Sequence, residues 1–266
     1  MSNPKILIIV PTLNTYKILN KLVNSLINQK YKNWRVVFVD ASNNKNHINF
    51  LKELSNDDSR FSLEVQNKFD NPGIYGAMNQ GLQYASKDEW ILFWGSDDFA
   101  PNKDSLNNLA KEITFYKDKN PYILIGRARY IDLKNLKLGR RSIFINKKNF
   151  VIGSGLFSLY MFLGSSPPHQ GTIFSPDSIK AIKIFNTKFK IASDLNFFLN
   201  TSLIKGINIP LLDCDIVNIG LGGYSSLYSR KRFIEVFVAY YERFNLLAFI
   251  PLSLRYLKRL ISVLKK

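Results

Sequence analysis

Short apolar runs alternate with amphipathic segments along the first part of the chain. Residues 5–10 (KILIIV) form an apolar run that ends at Pro11, and a second run, Trp34–Val39, ends at Asp40. Runs of this kind are typical of strands that are buried on both faces. Between them, apolar residues at helical spacing predict an amphipathic helix over 16–29. A strand, a helix and a strand in this order predict a right-handed βαβ unit and therefore a parallel sheet.

The same alternation continues toward residue 130, which predicts an α/β sandwich with a ligand site at the carboxyl ends of its strands. Further helices are predicted at 47–54, 75–84, 105–116 and 192–204, and further strands at 61–66, 90–94, 122–128 and 172–174. No period is recognisable in Arg140–Leu163. From Arg230 onward, the pattern predicts a helix that is interrupted at Pro251 and continues to the end of the chain.

The composition is that of a globular protein in a reducing compartment. The chain has 266 residues, 46% of them hydrophobic, which is enough to bury a substantial core. Its only cysteine, Cys214, has no partner for an intramolecular disulfide and is expected to be a small core residue. The first residues do not have the pattern of a signal peptide, and no uncharged apolar stretch reaches the roughly 18 residues of a membrane span. We therefore expect a cytoplasmic location, either free or peripheral at the inner face of the membrane.

The excess of basic residues points to polyanionic partners without choosing among them. Lys and Arg together number 37 against 20 for Asp and Glu, a formal charge of +17. Such a field attracts nucleic acid, anionic lipid and nucleotide diphosphates alike. A nucleic-acid-binding module is thus one alternative, although no zinc spacing or RNA-recognition motif is found. A nicotinamide-dependent oxidoreductase is disfavoured because no GxGxxG follows the first strand.

Carboxylates follow two of the predicted strands. Asp40 can accept hydrogen bonds from a uracil or a ribose, and Pro11, Thr12 and Asn14 at the end of the first strand can wall the same pocket. A turn or helix-capping role is the alternative for Asp40.

The adjacent carboxylates of Asp97 and Asp98 follow the strand WILFW. They repel each other unless a cation or ribose hydroxyls occupy the site. Mg²⁺ and Mn²⁺ prefer oxygen ligands of this kind, together with substrate phosphates. A solvated turn before the next helix is the alternative.

Polar residues in the second half supply further candidates. His169, in the block GSSPPHQG, can contact a diphosphate or an acceptor sugar, or serve only as a hydrogen-bonded structural residue. Asp194 lies in the first turn of a predicted helix, whose N-terminus stabilises an ionised carboxylate, although it can equally cap that helix. Arg127 and Arg129 share one strand face, where they can hold phosphate or simply be solvated.

A series of motifs carries a family resemblance. The motifs, in chain order, are PTLN (Pro11–Asn14), VFVDAS (Val37–Ser42), DNPGIYGAMNQGLQYA (Asp70–Ala85), WGSDDF (Trp94–Phe99), HQGTIF (His169–Phe174), KIASDLNFFL (Lys190–Leu199) and GGYSS (Gly222–Ser226). As an ordered set they resemble the family 2 glycosyltransferases of the GT-A fold, over about residues 5–230. The resemblance implies a Rossmann-like, mostly parallel sheet flanked by helices. It implies a catalytic domain of residues 1–229, with a nucleotide-sugar half at 1–101 and an acceptor half at 102–229, followed by a helical tail at 230–266.

The resemblance also implies a role for each matching carboxylate. Asp40 looks like the residue that binds the nucleotide base, with Asp70 assisting there or at a neighbouring helix. Asp97 looks like the ribose ligand and Asp98 like the ligand of a divalent metal, Mn²⁺ or Mg²⁺. Asp194 looks like the general base that deprotonates the acceptor hydroxyl, which implies inversion in a single displacement.

For the protein as a whole, the resemblance implies transfer of a sugar from a nucleotide diphosphate, preferably UDP, to a saccharide or lipid-linked acceptor. Bacterial polysaccharide synthesis, of the colanic-acid type, is the expected setting. A non-catalytic nucleotide-binding protein is the alternative. The chain departs from the family at Gly76, where the element GIYDAMN has an acid, so one polar contact is expected to be missing.

The tail from Arg230 combines apolar and aromatic residues with many cations. A helix with apolar bulk on one side and cations on the other suits an anionic membrane interface, where lipid-linked acceptors reside. The alternative is ordinary packing against the catalytic domain or a dimer partner.

Overall fold

The computed structural model describes residues 3–133, 137–146, 150–181, 185–222 and 228–264. A single sheet runs through them in the order β3-β2-β1-β4-β8-β5-β9-β7, with β6 paired to β5. The strands are β1 (Lys5–Thr12), β2 (Trp34–Asp40), β3 (Phe61–Val65), β4 (Glu89–Phe93), β5 (Ile123–Ile131), β6 (Leu138–Ser142), β7 (Phe150–Gly153), β8 (Thr172–Phe174) and β9 (Asn208–Gly220).

Helices cover both faces of this sheet. They are α1 (Tyr16–Ile27), α2 (Lys45–Asp57), α3 (Gly73–Leu82), α4 (Ser105–Tyr116), α5 (Ser154–Phe162), α6 (Pro176–Ala181), α7 (Ser193–Thr201), α8 (Ser229–Phe244) and α9 (Phe249–Leu264). In β1, Leu7 and Ile9 pack into the core on the side of α3, α7 and α8, while Ile6, Ile8 and Val10 pack into the core on the side of α1, α2 and α4. The apolar runs of the sequence are therefore strands buried on both faces, as predicted.

Strand direction differs between the two halves of the sheet. β1 is parallel to both β2 and β4, and β2 is parallel to β3, as the βαβ pattern predicts. β8 instead runs antiparallel to β4 and β5, while β5 and β9 are parallel to each other. The carboxyl ends of β1, β2, β4 and β9 and the beginning of β8 consequently meet at one edge of the sheet.

The structure adds elements that the sequence pattern does not predict. β9 is a 13-residue strand whose apolar positions are interrupted by Asp213 and Asp215. The unassigned stretch Arg140–Leu163 contains the end of β6, all of β7 and α5, with residues 147–149 outside the described part. Residues 223–226 of the GGYSS motif and the last two lysines also lie outside it.

The tail consists of two helices, but its interruption is not where it was predicted. α8 ends at Phe244, a 3₁₀ turn follows over Asn245–Ala248, and α9 contains Pro251 in its first turn. The prediction of a break at Pro251 is wrong because proline is tolerated in the first turn of a helix. The break falls instead at Asn245, which has a φ of +50°. Among the described helices, none has the length and apolar character needed to span a bilayer.

Candidate active site

The predicted base-binding carboxylate is held by a buried network at the ends of β1 and β2. Asp40 is paired in register with Thr12 and is 5% exposed. Its Oδ1 accepts hydrogen bonds from Thr12 Oγ1 at 2.8 Å and Ser42 Oγ at 2.5 Å, and His47 Nε2 lies at 3.1 Å from the same atom. With Oδ1 fully engaged inside the protein, Oδ2 is left as the acceptor for an external donor.

The loop after β1 closes over this network. Asn14 has a φ of +55°, and its N–H donates to Ser42 Oγ at 2.7 Å. Its own Oδ1 accepts from the N–H of Asn44 at 3.2 Å. Pro11 is half-buried opposite Val39 in the β1–β2 pair. The residues predicted to wall the pocket are therefore brought together with Asp40.

Asp98 is the most deeply buried carboxylate of the candidate site. It is 1% exposed, and its Oδ2 accepts from the N–H of Gly95 at 2.5 Å. Its Oδ1 is buried and has no hydrogen-bond partner among the described residues. Burial, and then the charge of Asp97, raise the pKa of Asp98 well above its ordinary value. Asp98 is thus not a solvated turn residue.

Asp97 lies beside it, between two glycines. A Cβ on Gly95 would lie 2.8 Å from Oδ1 of Asp97, and one on Gly220 would lie 2.9 Å from its Oδ2. Burial raises the pKa of Asp97 as well. Gly220 is the last residue of β9, so the unpredicted strand brings the second half of the chain against this carboxylate. The carboxylate of Asp97 therefore occupies space that a side chain at Gly95 or Gly220 would enter.

This pair fits a divalent cation. An unpaired, buried carboxylate oxygen next to a second carboxylate is a set of hard oxygen donors, which suits Mn²⁺ or Mg²⁺. In the described residues no group of three or more His, Cys, Asp or Glu side chains forms a complete metal cage. Such cations commonly use one or two carboxylates and take further ligands from substrate phosphates.

Asp194 lies at the same edge of the sheet, in the first turn of α7. Its Oδ1 accepts from the N–H of Leu195 at 2.8 Å and lies 3.2 Å from the hydroxyl of Tyr75 on α3. The N-cap position of α7 is occupied by Ala192, while Asp194 accepts one of the free N–H groups of the first turn. Burial, and then the charge of Asp194, raise the pKa of Tyr75 well above its ordinary value, which keeps that hydroxyl protonated.

Three hydrogen bonds that the sequence analysis missed hold the segment before α7. The backbone N–H groups of Lys190, Ile191 and Ala192 all donate to Glu235 of α8. Glu235 shares a buried helix face with Val236. An acidic residue on the apolar stripe of an amphipathic helix was the available signal for this contact.

His169 is more buried than expected for a loop residue that lines the cleft. It is 6% exposed, and its ring stacks on Phe93 with centroids 5.4 Å apart. Burial lowers its pKa, and the nearby charge of Asp194 acts in the opposite direction. Its Nε2 is buried without a hydrogen-bond partner in the described part of the chain. The ring therefore packs beneath the site, and a contact with the donor stays a prediction.

The remaining candidates are spread more widely. Asp70 is exposed and accepts from Asn67 Nδ2 at 2.6 Å within its own loop, so its donor role also stays a prediction. At Gly76, a Cβ would lie 2.2 Å from the carbonyl carbon of Asn71, so the loop backbone occupies the space of the family's acidic side chain.

The two arginines of β5 are engaged by the unpredicted strand β9. Arg127 forms an ion pair with Asp213, and Arg129 lies 3.5 Å from Asp215. Cys214 between these acids is mostly buried, and burial raises its pKa to about 12, in keeping with the predicted core position. Neither arginine is simply solvated.

Comparison with known proteins points to one enzyme family. The family model described as Glycosyl transferase family 2 matches residues 7–181. A Haemophilus influenzae protein named uncharacterized glycosyltransferase is 26% identical over 200 residues, which cover 75% of this chain and 72% of the relative.

Solved structures share the architecture at low identity. S. aureus TarS 1–349 in complex with UDP-GlcNAc superimposes with a TM-score of 0.69 and 22% identity, covering 91% of this chain and 67% of that one. The mannosyltransferase PcManGT of Pyrobaculum calidifontis, in complex with GDP-Man and Mn²⁺, gives a TM-score of 0.63 and 13% identity, covering 96% of this chain and 70% of that one. At these identities the likeness shows the fold.

Proposed function

Because the chain belongs to glycosyl transferase family 2, we propose that it transfers a sugar from a UDP-sugar, with inversion, to a hydroxyl of a saccharide or lipid-linked acceptor. The family, the GT-A fold and the glycosyltransferase activity predicted from the motifs are confirmed. The family match favours a transferase over the nucleic-acid-binding alternative. Synthesis of a cell-surface polysaccharide is the proposed setting.

The donor is proposed to lie along the carboxyl edge of β2, β1 and β4. Asp40 Oδ2 accepts a hydrogen bond from the base, and Asp97 binds the ribose. Asp98 would hold Mn²⁺ or Mg²⁺, and a cation there would supply positive charge to balance the diphosphate leaving group. Support comes from the buried, unpaired Oδ1 of Asp98 and from the UDP-GlcNAc and Mn²⁺ of the two similar structures.

The proposed step is a single displacement. The acceptor oxygen forms a bond to the anomeric carbon while the bond from that carbon to the β-phosphate oxygen breaks. The electron pair of the broken bond leaves with UDP, and the acceptor proton passes to the carboxylate of Asp194. Attack opposite the leaving group inverts the anomeric configuration.

The observation that carries the proposal is the buried carboxylate of Asp98, with the half-buried Asp97 beside it, at a strand end that shares its sheet edge with Asp194. The test is release of nucleotide diphosphate from a panel of nucleotide sugars, with and without Mn²⁺. Asp98→Ala should lose metal-dependent donor binding, while Asp194→Asn should bind the donor but not turn it over. Asp177→Asn, whose side chain is 85% exposed, is the matched control. Turnover at the wild-type rate in Asp194→Asn would contradict its role as base.

We further propose that α9 binds an anionic membrane surface. Its core-facing side includes Leu252, whereas an apolar stripe at helical spacing remains exposed. The stripe consists of Phe249 (58% exposed), Ile250 (43%), Leu257 (52%), Leu260 (56%) and Ile261 (42%). The cations Arg255, Lys258 and Arg259 lie on the opposite side of this helix, where Lys258 Nζ donates to the carbonyl oxygen of Leu163 at 2.9 Å. The exposed apolar stripe itself fits the boundary between headgroups and acyl chains, where a lipid-linked acceptor would be presented, and the formal charge of +17 favours an anionic surface.

Sedimentation with vesicles tests this surface. The double variant Leu257→Gln and Leu260→Gln should lose binding to vesicles of phosphatidylglycerol and phosphatidylcholine, since it removes apolar area from the stripe. Leu203→Gln, at an equally exposed leucine (56%) outside the tail, should bind as the wild type does. Unchanged binding of the double variant would overturn the proposal. A loss of dimers in light scattering, without any loss of vesicle binding, would assign the stripe to a second copy of the chain instead.

A further inference from the structure

Glu235 of α8 reaches the segment that leads into the helix of the proposed base. It is 9% exposed. Its Oε1 accepts from the N–H of Lys190 at 3.1 Å, and its Oε2 accepts from those of Ile191 at 2.7 Å and Ala192 at 3.0 Å. The side chain thus satisfies buried backbone donors at a helix start and lies at the positive end of the helix dipole.

The same segment is held from the opposite side by α3. The hydroxyl of Tyr75 lies 3.0 Å from the carbonyl oxygen of Ile191 and 3.2 Å from Oδ1 of Asp194. The N–H of Ile191 is therefore bound by one helix, and its carbonyl is contacted by another. Tyr75 is itself 7% exposed, so its ring is packed and its hydroxyl has a fixed position.

We propose that Glu235 is a positioning residue, which fixes the backbone of residues 190–192 and thereby aims the carboxylate of Asp194 at the acceptor hydroxyl. The inference rests on the proposed function, since it requires Asp194 to be the base. The peptides bound by Glu235 end two residues before Asp194. Displacement of a catalytic group by about 1 Å is enough to lower a rate about 100-fold.

The test is Glu235→Gln, which keeps the shape of the side chain. The amide offers one oxygen in place of two and turns an NH₂ group toward backbone N–H donors. We expect kcat for UDP release from the active donor to fall about 10- to 100-fold, with the Kd for UDP and Mn²⁺ unchanged. Glu242→Gln is the matched control on the same helix, because Glu242 accepts from the side chain of Asn196, at 3.0 Å, and not from this backbone.

A double-mutant cycle separates positioning from mere stabilisation. In an Asp194→Asn background, Glu235→Gln should cause no further loss of the residual rate, because residues that act through one group are not additive. Hydrogen exchange of the amides at 190–192 should be slow in the wild type and faster in Glu235→Gln. If that variant does not fold, Tyr75→Phe removes the contact that α3 makes with the same segment, and it should lower kcat in the same way.

Several results would overturn the inference. They are an unchanged kcat in folded Glu235→Gln, an equal loss in the Asp194→Asn background, and amides at 190–192 that exchange in the wild type as fast as those of an exposed loop. A wild-type protein that neither binds UDP nor turns over any donor would instead reject the proposed function, and this role with it. An active wild type with an unaffected variant rejects this role alone.

Discussion

Replacing Asp98 by asparagine should make protein prepared without divalent metal more stable while it removes metal-dependent donor binding. The buried carboxylate has one oxygen bound by Gly95 N–H and one without a partner in the described residues. Burial, and then the charge of Asp97, raise the pKa of Asp98 well above the ordinary value. An asparagine keeps an acceptor for Gly95, carries no charge, and can turn its NH₂ group toward Asp97.

The sign and size of the effect follow from proton linkage. A carboxyl whose pKa is higher in the folded than in the unfolded state holds its proton more tightly when folded. Its contribution to stability therefore falls as the pH rises from the ordinary pKa of about 3.9 through the raised folded pKa, and the full penalty is present above that. Removing a buried, unsatisfied polar group is worth about 1–3 kcal/mol. For a chain of this size that corresponds to a rise in Tm of roughly 2–12 °C.

The assay is thermal unfolding in EDTA between pH 5 and pH 8. The Tm of Asp98→Asn should exceed that of the wild type, and the gap should widen as the pH rises. Addition of Mn²⁺ with UDP should then raise the Tm of the wild type alone, because a ligand stabilises only the state that binds it. An Asp98→Asn protein that is less stable than the wild type at pH 8, or equally stabilised by Mn²⁺ and UDP, would refute this reasoning.

Three further predictions concern the network and its surroundings. Thr12→Val removes a donor to Asp40 Oδ1 and should weaken UDP binding in calorimetry by about 0.5–1.5 kcal/mol; an unchanged affinity would count against the donor role of Asp40. Gly76→Asp restores the family's acid but places its Cβ against the Asn71 backbone, so the free energy of unfolding in urea should fall by about 1–3 kcal/mol; wild-type stability would contradict the packing. Cys214, whose pKa burial raises to about 12, should react with iodoacetamide at pH 8 far more slowly in native than in urea-unfolded protein; equal rates would show an accessible thiol.

The first half of the fold could be predicted because its strands are buried on both faces and its helices have a regular apolar period. Apolar runs such as Trp34–Val39 indicate a strand that is buried on both faces. The observed strand β2 is longer than this run by one residue, Asp40. The long strand β9 was not predicted because Asp213 and Asp215 interrupt its run of apolar residues. Those acids are matched by Arg127 and Arg129 on the neighbouring strand, a pairing that is invisible until both strands are known.

In the candidate site, too, local features could be predicted from the sequence and long-range contacts could not. A carboxylate at or shortly after the end of a buried strand is a local signal, and it marked Asp40 and Asp98 as candidates. The groups that orient the acids are distant in sequence or follow from packing: His47 reaches Asp40 from α2, and Glu235 reaches the start of α7 from α8. The burial of His169 depends on aromatic rings from several elements, which no single motif reveals.

The contact of Glu235 with residues 190–192 has a practical consequence for anyone who shortens this enzyme. A chain cut at residue 229, the predicted domain boundary, would strip three backbone donors of their acceptor and uncover the core that Val236 and Tyr240 fill. The turn Asn245–Ala248 separates α8 from α9, and a cut there would keep the Glu235 contact. It would still expose the part of the core that Leu252 of α9 covers.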